Sequence, residues 1–161
     1  MKTPTKVLLI TLTTTVGVAA AAWAGTFLYW HVRITSAIRV MEAKLPGLMT
    51  PLSWPADLLQ ASEVLRTAGC RALPYFVRSA GSTQDLELQE YLIGWLIGEV
   101  TTGNGEPNYE LGDALRARFA PEYIDSPAVR RKKCDRLNSW WSENGTHYHQ
   151  WWRVWSSGCS R

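Results

Sequence analysis

Between Lys6 and His31 lie 24 consecutive residues, Val7 to Trp30, without a charge. As a helix rising about 1.5 Å per residue this run reaches about 36 Å, more than the roughly 30 Å of a bilayer's hydrocarbon core. Thr11, Thr13, Thr14 and Thr15 interrupt the apolar side chains. Inside lipid a threonine hydroxyl can bond back to a carbonyl of the preceding turn, so these positions are tolerated. Tyr29 and Trp30 close the run and His31 and Arg33 follow, an order that suits the headgroup level. The pattern predicts a basic N-terminal flank over 1–6 and a transmembrane anchor over 7–30. The competing reading is a signal peptide cleaved near Ala24, because Ala22-Trp23-Ala24 has the small-x-small form and Lys2 and Lys6 supply a basic start. Cleavage there would leave a secreted or periplasmic protein. The apolar run continues past Ala24 to Trp30, however, and a signal peptide's apolar region is usually about 7–15 residues, so a retained anchor is the expectation. Lys2 and Lys6 before the span and Arg33, Arg39 and Lys44 after it nearly balance. A short basic start usually stays inside, which places the body on the outer or periplasmic face.

Charged residues are 19% of the chain and apolar ones 46%, which excludes both a disordered chain and a polytopic membrane protein. The charge is unevenly spread. Residues 31–126 hold 8 Lys/Arg and 12 Asp/Glu, and residues 127–161 hold 7 and 2. A basic tail can dock on an acidic body or turn toward anionic lipid. Docking is the simpler expectation.

The remaining periodicity is helical, and no alternating strand pattern bounded by turns is present. Ile34, Ile38, Met41 and Leu45 share a face that continues the anchor or forms a juxtamembrane helix, and Pro46, Pro51 and Pro55 mark a connector, together 31–55. Leu58, Ala61, Leu65 and Ala68 line one face of the next helix, and Gly69 suits its C-cap. A short helix over Cys70–Ala80 carries Pro74 in its first turn. Asp85–Val100 is apolar almost all round, which predicts burial between neighbours, with Gly94 and Gly98 allowing close helix packing. Leu111, Leu115 and Phe119 mark another helix. Ser126-Pro127 starts the last, with Val129, Lys133, Leu137 and Trp140 in register, and Asn144-Gly145 is expected to end it. The body is therefore all-α.

Residues 57–100 resemble a HEAT-type helical repeat with the end of the preceding unit. "LLQASEVLRTAG" is similar to a second helix, "CRALPYFVRSAG" to the next first helix, with Pro74 at a common proline position, and "DLELQEYLIGWLIGEV" to its second. "RLNSWWSENGTHYHQW" resembles a Trp-rich segment, W-W-x-x-N-x-x-x-Y, that closes some bacterial HEAT-like proteins, here on Trp140, Trp141, Asn144 and Tyr148. The resemblance implies a HEAT-like body over 56–125, a capping segment over 126–161, a bacterial inner-membrane setting, and scaffolding or protein interaction without catalysis. In such proteins each two-helix unit leaves an apolar face for its neighbour to cover.

Five of the nine tryptophans fall between Leu137 and Trp155. Trp140, Trp141, Tyr148, Trp151, Trp152 and Trp155 are the candidate cap or interaction residues, because each buried indole removes about 150–250 Å² from water. The alternative is a lipid- or envelope-binding tail in which Arg130, Arg131, Lys132 and Lys133 contact an anionic surface and the tryptophans sit in the interface. A stacking platform for sugars or nucleic acid is a third, weaker reading.

Catalytic signatures are absent: the sequence has no Gly-x-Ser-x-Gly, Walker loop or dinucleotide glycine pattern. Glu87, Glu90 and Glu99 read as a solvated helix stripe. His147 and His149 form one His-x-His but lack the paired cysteines of a structural zinc site. No cofactor, metal or small-molecule substrate is expected, and a nucleic-acid partner is disfavoured. The expected partners are a protein and the membrane through 7–30. Of three cysteines, Cys70 reads as a small buried residue, and Cys134 with Cys159 is the pair that an oxidising compartment would allow.

Overall fold

The structure is a computed structural model and describes residues 3–46, 54–102 and 107–148. Among them are six α-helices: α1 Thr3–Lys44, α2 Ala56–Ala68, α3 Leu73–Ser82, α4 Leu86–Thr102, α5 Tyr109–Phe119 and α6 Pro127–Tyr148, with one 3-10 turn at Gly69–Ala72. No strand occurs among the described residues.

The 42 residues of α1 form one helix about 63 Å long, and its character changes along its length. From Thr11 to Arg33 the side chains are exposed or half-exposed, including Leu12, Val16, Val18, Phe27 and Leu28. Thr15 Oγ1 donates to Thr11 O at 2.8 Å and Thr26 Oγ1 to Ala22 O at 2.9 Å, so these hydroxyls are satisfied within the helix. From Ile34 onward one face is buried: Ile34, Ala37, Ile38, Met41 and Leu45 join the main core. Each fully buried aliphatic side chain of this kind contributes about 1.5–3 kcal/mol.

Helix α2 packs back along this buried half, and an ion pair between Lys44 and Asp57 holds the turn end of the pair. The face expected for α2 is the one buried: Leu58, Ala61, Leu65 and Ala68. Gly69 ends it with φ 54°, a backbone that favours glycine. The segment from Cys70 is not helical throughout, as the amphipathic spacing suggested. Gly69–Ala72 is a 3-10 turn, and the α-helix starts only at Leu73, with Pro74 in its first turn, where its missing N–H costs nothing.

Helix α3 touches α1, α4 and α6. Helix α4 is buried on most sides through Leu88, Leu92, Ile93, Leu96, Ile97 and Val100. Asp85 Oδ1 caps it by accepting from Leu88 N at 2.8 Å. Among the described residues the expected close packing at Gly94 and Gly98 does not occur: a Cβ on either would meet nothing within 4 Å. The buried faces of α4 are built by its large side chains, and the glycine edge stays open. Asn108 caps α5 by accepting from Leu111 N at 3.0 Å, and Phe119 at its end is fully buried. Ser126 Oγ caps α6 at Val129 N. Its buried face is Cys134, Leu137 and Gly145, whereas Val129 is exposed.

Candidate functional site

Two features combine polar and aromatic groups from different elements: the junction where α1 leaves its exposed stretch, and the aromatic end of α6.

At the junction the first residues of the α3 segment lie beside the end of the exposed part of α1. The Arg71 guanidinium sits 4.8 Å from the Trp30 ring centre, and His31 Nδ1 lies 2.8 Å from the Tyr75 hydroxyl. Arg33 rests over Tyr29 and donates to its hydroxyl. Further along, Ser79 Oγ donates to Glu42 Oε1 at 2.6 Å. Burial pushes the Tyr75 hydroxyl above the usual phenol range, and nearby Arg78 opposes this. Between the two helices lies a cleft of about 220 Å³, lined on the α1 side by His31, Arg39 and Glu42 and on the α3 side by Tyr75, Arg78 and Ser79. Sequence spacing did not reveal this cluster, because its members lie up to 48 residues apart and meet only through helix packing.

Helix α6 runs antiparallel to α3. Cys134 Sγ reaches Ala80 O at 3.4 Å near its start, whereas Trp141 shares a groove with Pro74 and Val77 near its end. The Trp140 ring lies 5.6 Å from Phe119, 6.4 Å from Trp141 and 5.8 Å from Tyr148. Trp140, Trp141 and Tyr148 are half-buried against the core. They cover α3 and the end of α5. Trp95 of α4 is covered elsewhere, by Phe76 at 6.3 Å and Tyr91 at 5.9 Å. Trp151, Trp152 and Trp155 lie outside the described residues, as does His149.

Asn144-Gly145 does not end α6. Asn144 Nδ2 donates to Trp140 O at 2.9 Å within the helix, and Gly145 is buried under the Trp141 indole. A Cβ at Gly145 would stand 2.7 Å from Trp141 Cε2. Gly145→Ala gains about 1 kcal/mol of helix propensity, but displacing a packed ring costs about 1–3 kcal/mol. The variant is therefore expected to melt below the wild type, with an altered near-UV signal from the indoles. A higher melting temperature would show that the ring moves freely.

The basic cluster at the start of α6 is divided. Arg130 Nη1 donates to Gln84 O at 3.1 Å. Lys133 donates to Ala120 O at 2.9 Å and to Asp125 Oδ2 at 2.7 Å, and its hydrogen bond holds the Asp125 carboxyl below the usual range. Arg131 and Lys132 are exposed. Antiparallel packing puts all four at the end of α6 far from Trp30 and His31. The last carbonyls of α3 are also served here: Ala80 O accepts from Gln89 Nε2 at 3.3 Å as well as from Cys134.

Cys70 is buried as expected, but the bonding of the cysteines differs from expectation. Cys70 is disulfide-bonded, and Cys134 is a free, buried thiol held above its usual range by burial. A Cys134–Cys159 bridge is therefore excluded, because the Cys134 thiol is packed against α3. Cys159 lies outside the described residues. The acidic stripe of α4 is not uniformly solvated: Glu90 is exposed, but Glu99 is half-buried and burial raises its carboxyl above the ordinary range. Among the described residues no three His, Cys, Asp or Glu side chains are placed to hold a metal ion.

Comparison with protein-family models, with characterised proteins and with solved structures finds no match.

Proposed function

We propose that the chain is a membrane-anchored, non-catalytic interaction protein whose helical body stands on the outer, oxidising side of the membrane. The observation that carries this reading is the single helix α1. It is long and apolar enough to cross a membrane, it leaves Leu12, Val16, Val18, Phe27 and Leu28 exposed, and without a break it becomes the buried first helix of the body at Ile34. A folded domain does not leave so long an apolar surface to water, and a bilayer covers it. The continuity across Ala24 favours a retained anchor over a cleaved signal, since the body's first core helix is the anchor's extension.

The Cys70 disulfide supports the outer side, because disulfides persist in oxidising compartments. The packed pairs α1–α2 and α3–α4, with α6 closing the end, fit a short HEAT-like stack. A stack of this kind acts by presenting helix faces to a protein partner. The test is extraction of the full chain from its native membrane. An alkaline carbonate wash should leave it in the pellet, and mild detergent should release it in a complex larger than the 18.1 kDa chain with its detergent. Release by carbonate would refute the anchor, and a monomer at every stage would refute the interaction role.

A further inference from the structure

We propose that the cleft between α1 and α3 binds the phosphate-bearing headgroup of an anionic phospholipid. This goes beyond the interaction role and rests only on α1 crossing the bilayer.

Location comes first. The cleft begins at His31, immediately after Tyr29 and Trp30, where the exposed apolar stretch of α1 ends. Because α1 is one unbroken helix through both regions, a bilayer around residues 7–30 sets the cleft mouth at headgroup depth. Charge comes second. The lining offers the Arg39 and Arg78 guanidiniums, the His31 imidazole and the Tyr75 hydroxyl against one carboxylate, Glu42. Glu42 stands one turn beyond Arg39 on the same helix and its Oε1 accepts from Ser79, which leaves two guanidiniums against one carboxylate. Among the described residues neither Arg39 nor Arg78 makes a hydrogen bond or ion pair. Arg33 and Arg71 stand at the membrane end of the cleft, held over Tyr29 and Trp30. Guanidiniums match phosphate oxygens in a fork geometry, and rings beneath them fix their position at the interface. Size comes third. A volume of about 220 Å³ is smaller than the roughly 300 Å³ at which pockets for drug-sized ligands begin, and suits one headgroup. Arg131 and Lys132, exposed at the start of α6, do not line the cleft.

The test uses the full chain in nanodiscs of phosphatidylcholine with a minor share of phosphatidylglycerol. Lipids retained by the protein are measured by native mass spectrometry, with helicity followed by circular dichroism. The wild type should retain phosphatidylglycerol about tenfold above its share. Arg39→Gln with Arg78→Gln should bring this to parity with helicity unchanged, while Arg131→Gln with Lys132→Gln should keep the enrichment. No wild-type enrichment, or enrichment surviving the Arg39/Arg78 change, would overturn the proposal. So would inorganic phosphate removing the enrichment, since the cleft would then hold free phosphate. If the double variant loses helicity, Arg78→Lys decides: retained charge should keep at least part of the enrichment, and its complete loss in a folded protein counts against the cleft. A chain that fails to incorporate into nanodiscs refutes the anchor itself, whereas an incorporated chain without lipid preference refutes the cleft alone.

Discussion

Replacing Trp140 by alanine is expected to destabilise the folded body by about 3 kcal/mol, at the lower end for loss of a large core aromatic because the ring is only half-buried. The indole bridges Phe119, Trp141 and Tyr148 with centroid separations of 5.6, 6.4 and 5.8 Å. Its removal opens the fully buried Phe119 to water and takes from Tyr148 the ring it packs against. The melting temperature should fall by about 10 °C, with far-UV helicity at low temperature unchanged. Tyr123→Ala makes the control, since Tyr123 is exposed on the loop before α6, and it should change little. If Trp140→Ala melts with the wild type, α6 does not hold the end of the stack.

The second large effect concerns the disulfide. Removing a native bridge from a small domain costs about 2–5 kcal/mol. Cys70→Ser, or reduction under native conditions, should therefore lower the melting temperature about as much as Trp140→Ala. Cys134→Ala should have a much smaller effect, because it removes one weak thiol contact to Ala80 O. With Cys134 free, Cys159 is the one other cysteine of the sequence. A non-reducing tryptic map should show the peptide over 67–71 disulfide-linked, while the peptide containing Cys134 appears unlinked. Native Cys134 should resist maleimide and react on unfolding, as a buried thiol held above its usual range does. A map joining the Cys70 peptide to its own copy would instead make the bridge intermolecular.

The helices were legible in the sequence wherever an apolar period met a clear stop. The face Leu58, Ala61, Leu65 and Ala68, the burial of α4 on most of its sides and the Ser126-Pro127 start of α6 are features of single segments, and these patterns survive folding. What stayed hidden was set by neighbours. Gly145 reads as a helix stop until the Trp141 ring is seen to occupy its Cβ space. Gly94 and Gly98 read as a packing notch, yet among the described residues no side chain or backbone comes within 4 Å of a Cβ placed on them. Arg130 and Lys133 read as contacts for an anionic surface, but each is drawn onto a backbone carbonyl of another segment. The junction of Trp30 and His31 with Arg71 and Tyr75 has no local signature, since it exists only because α3 packs on α1.

Alkaline phosphatase fused after Arg161 and expressed in a bacterial host is active only when exported to an oxidising compartment. The fusion to the full chain should be active and remain with the membrane fraction, and a fusion lacking residues 1–30 should be inactive and leave it. An inactive full-length fusion with Cys70 found reduced would place the body inside the cell and contradict the account.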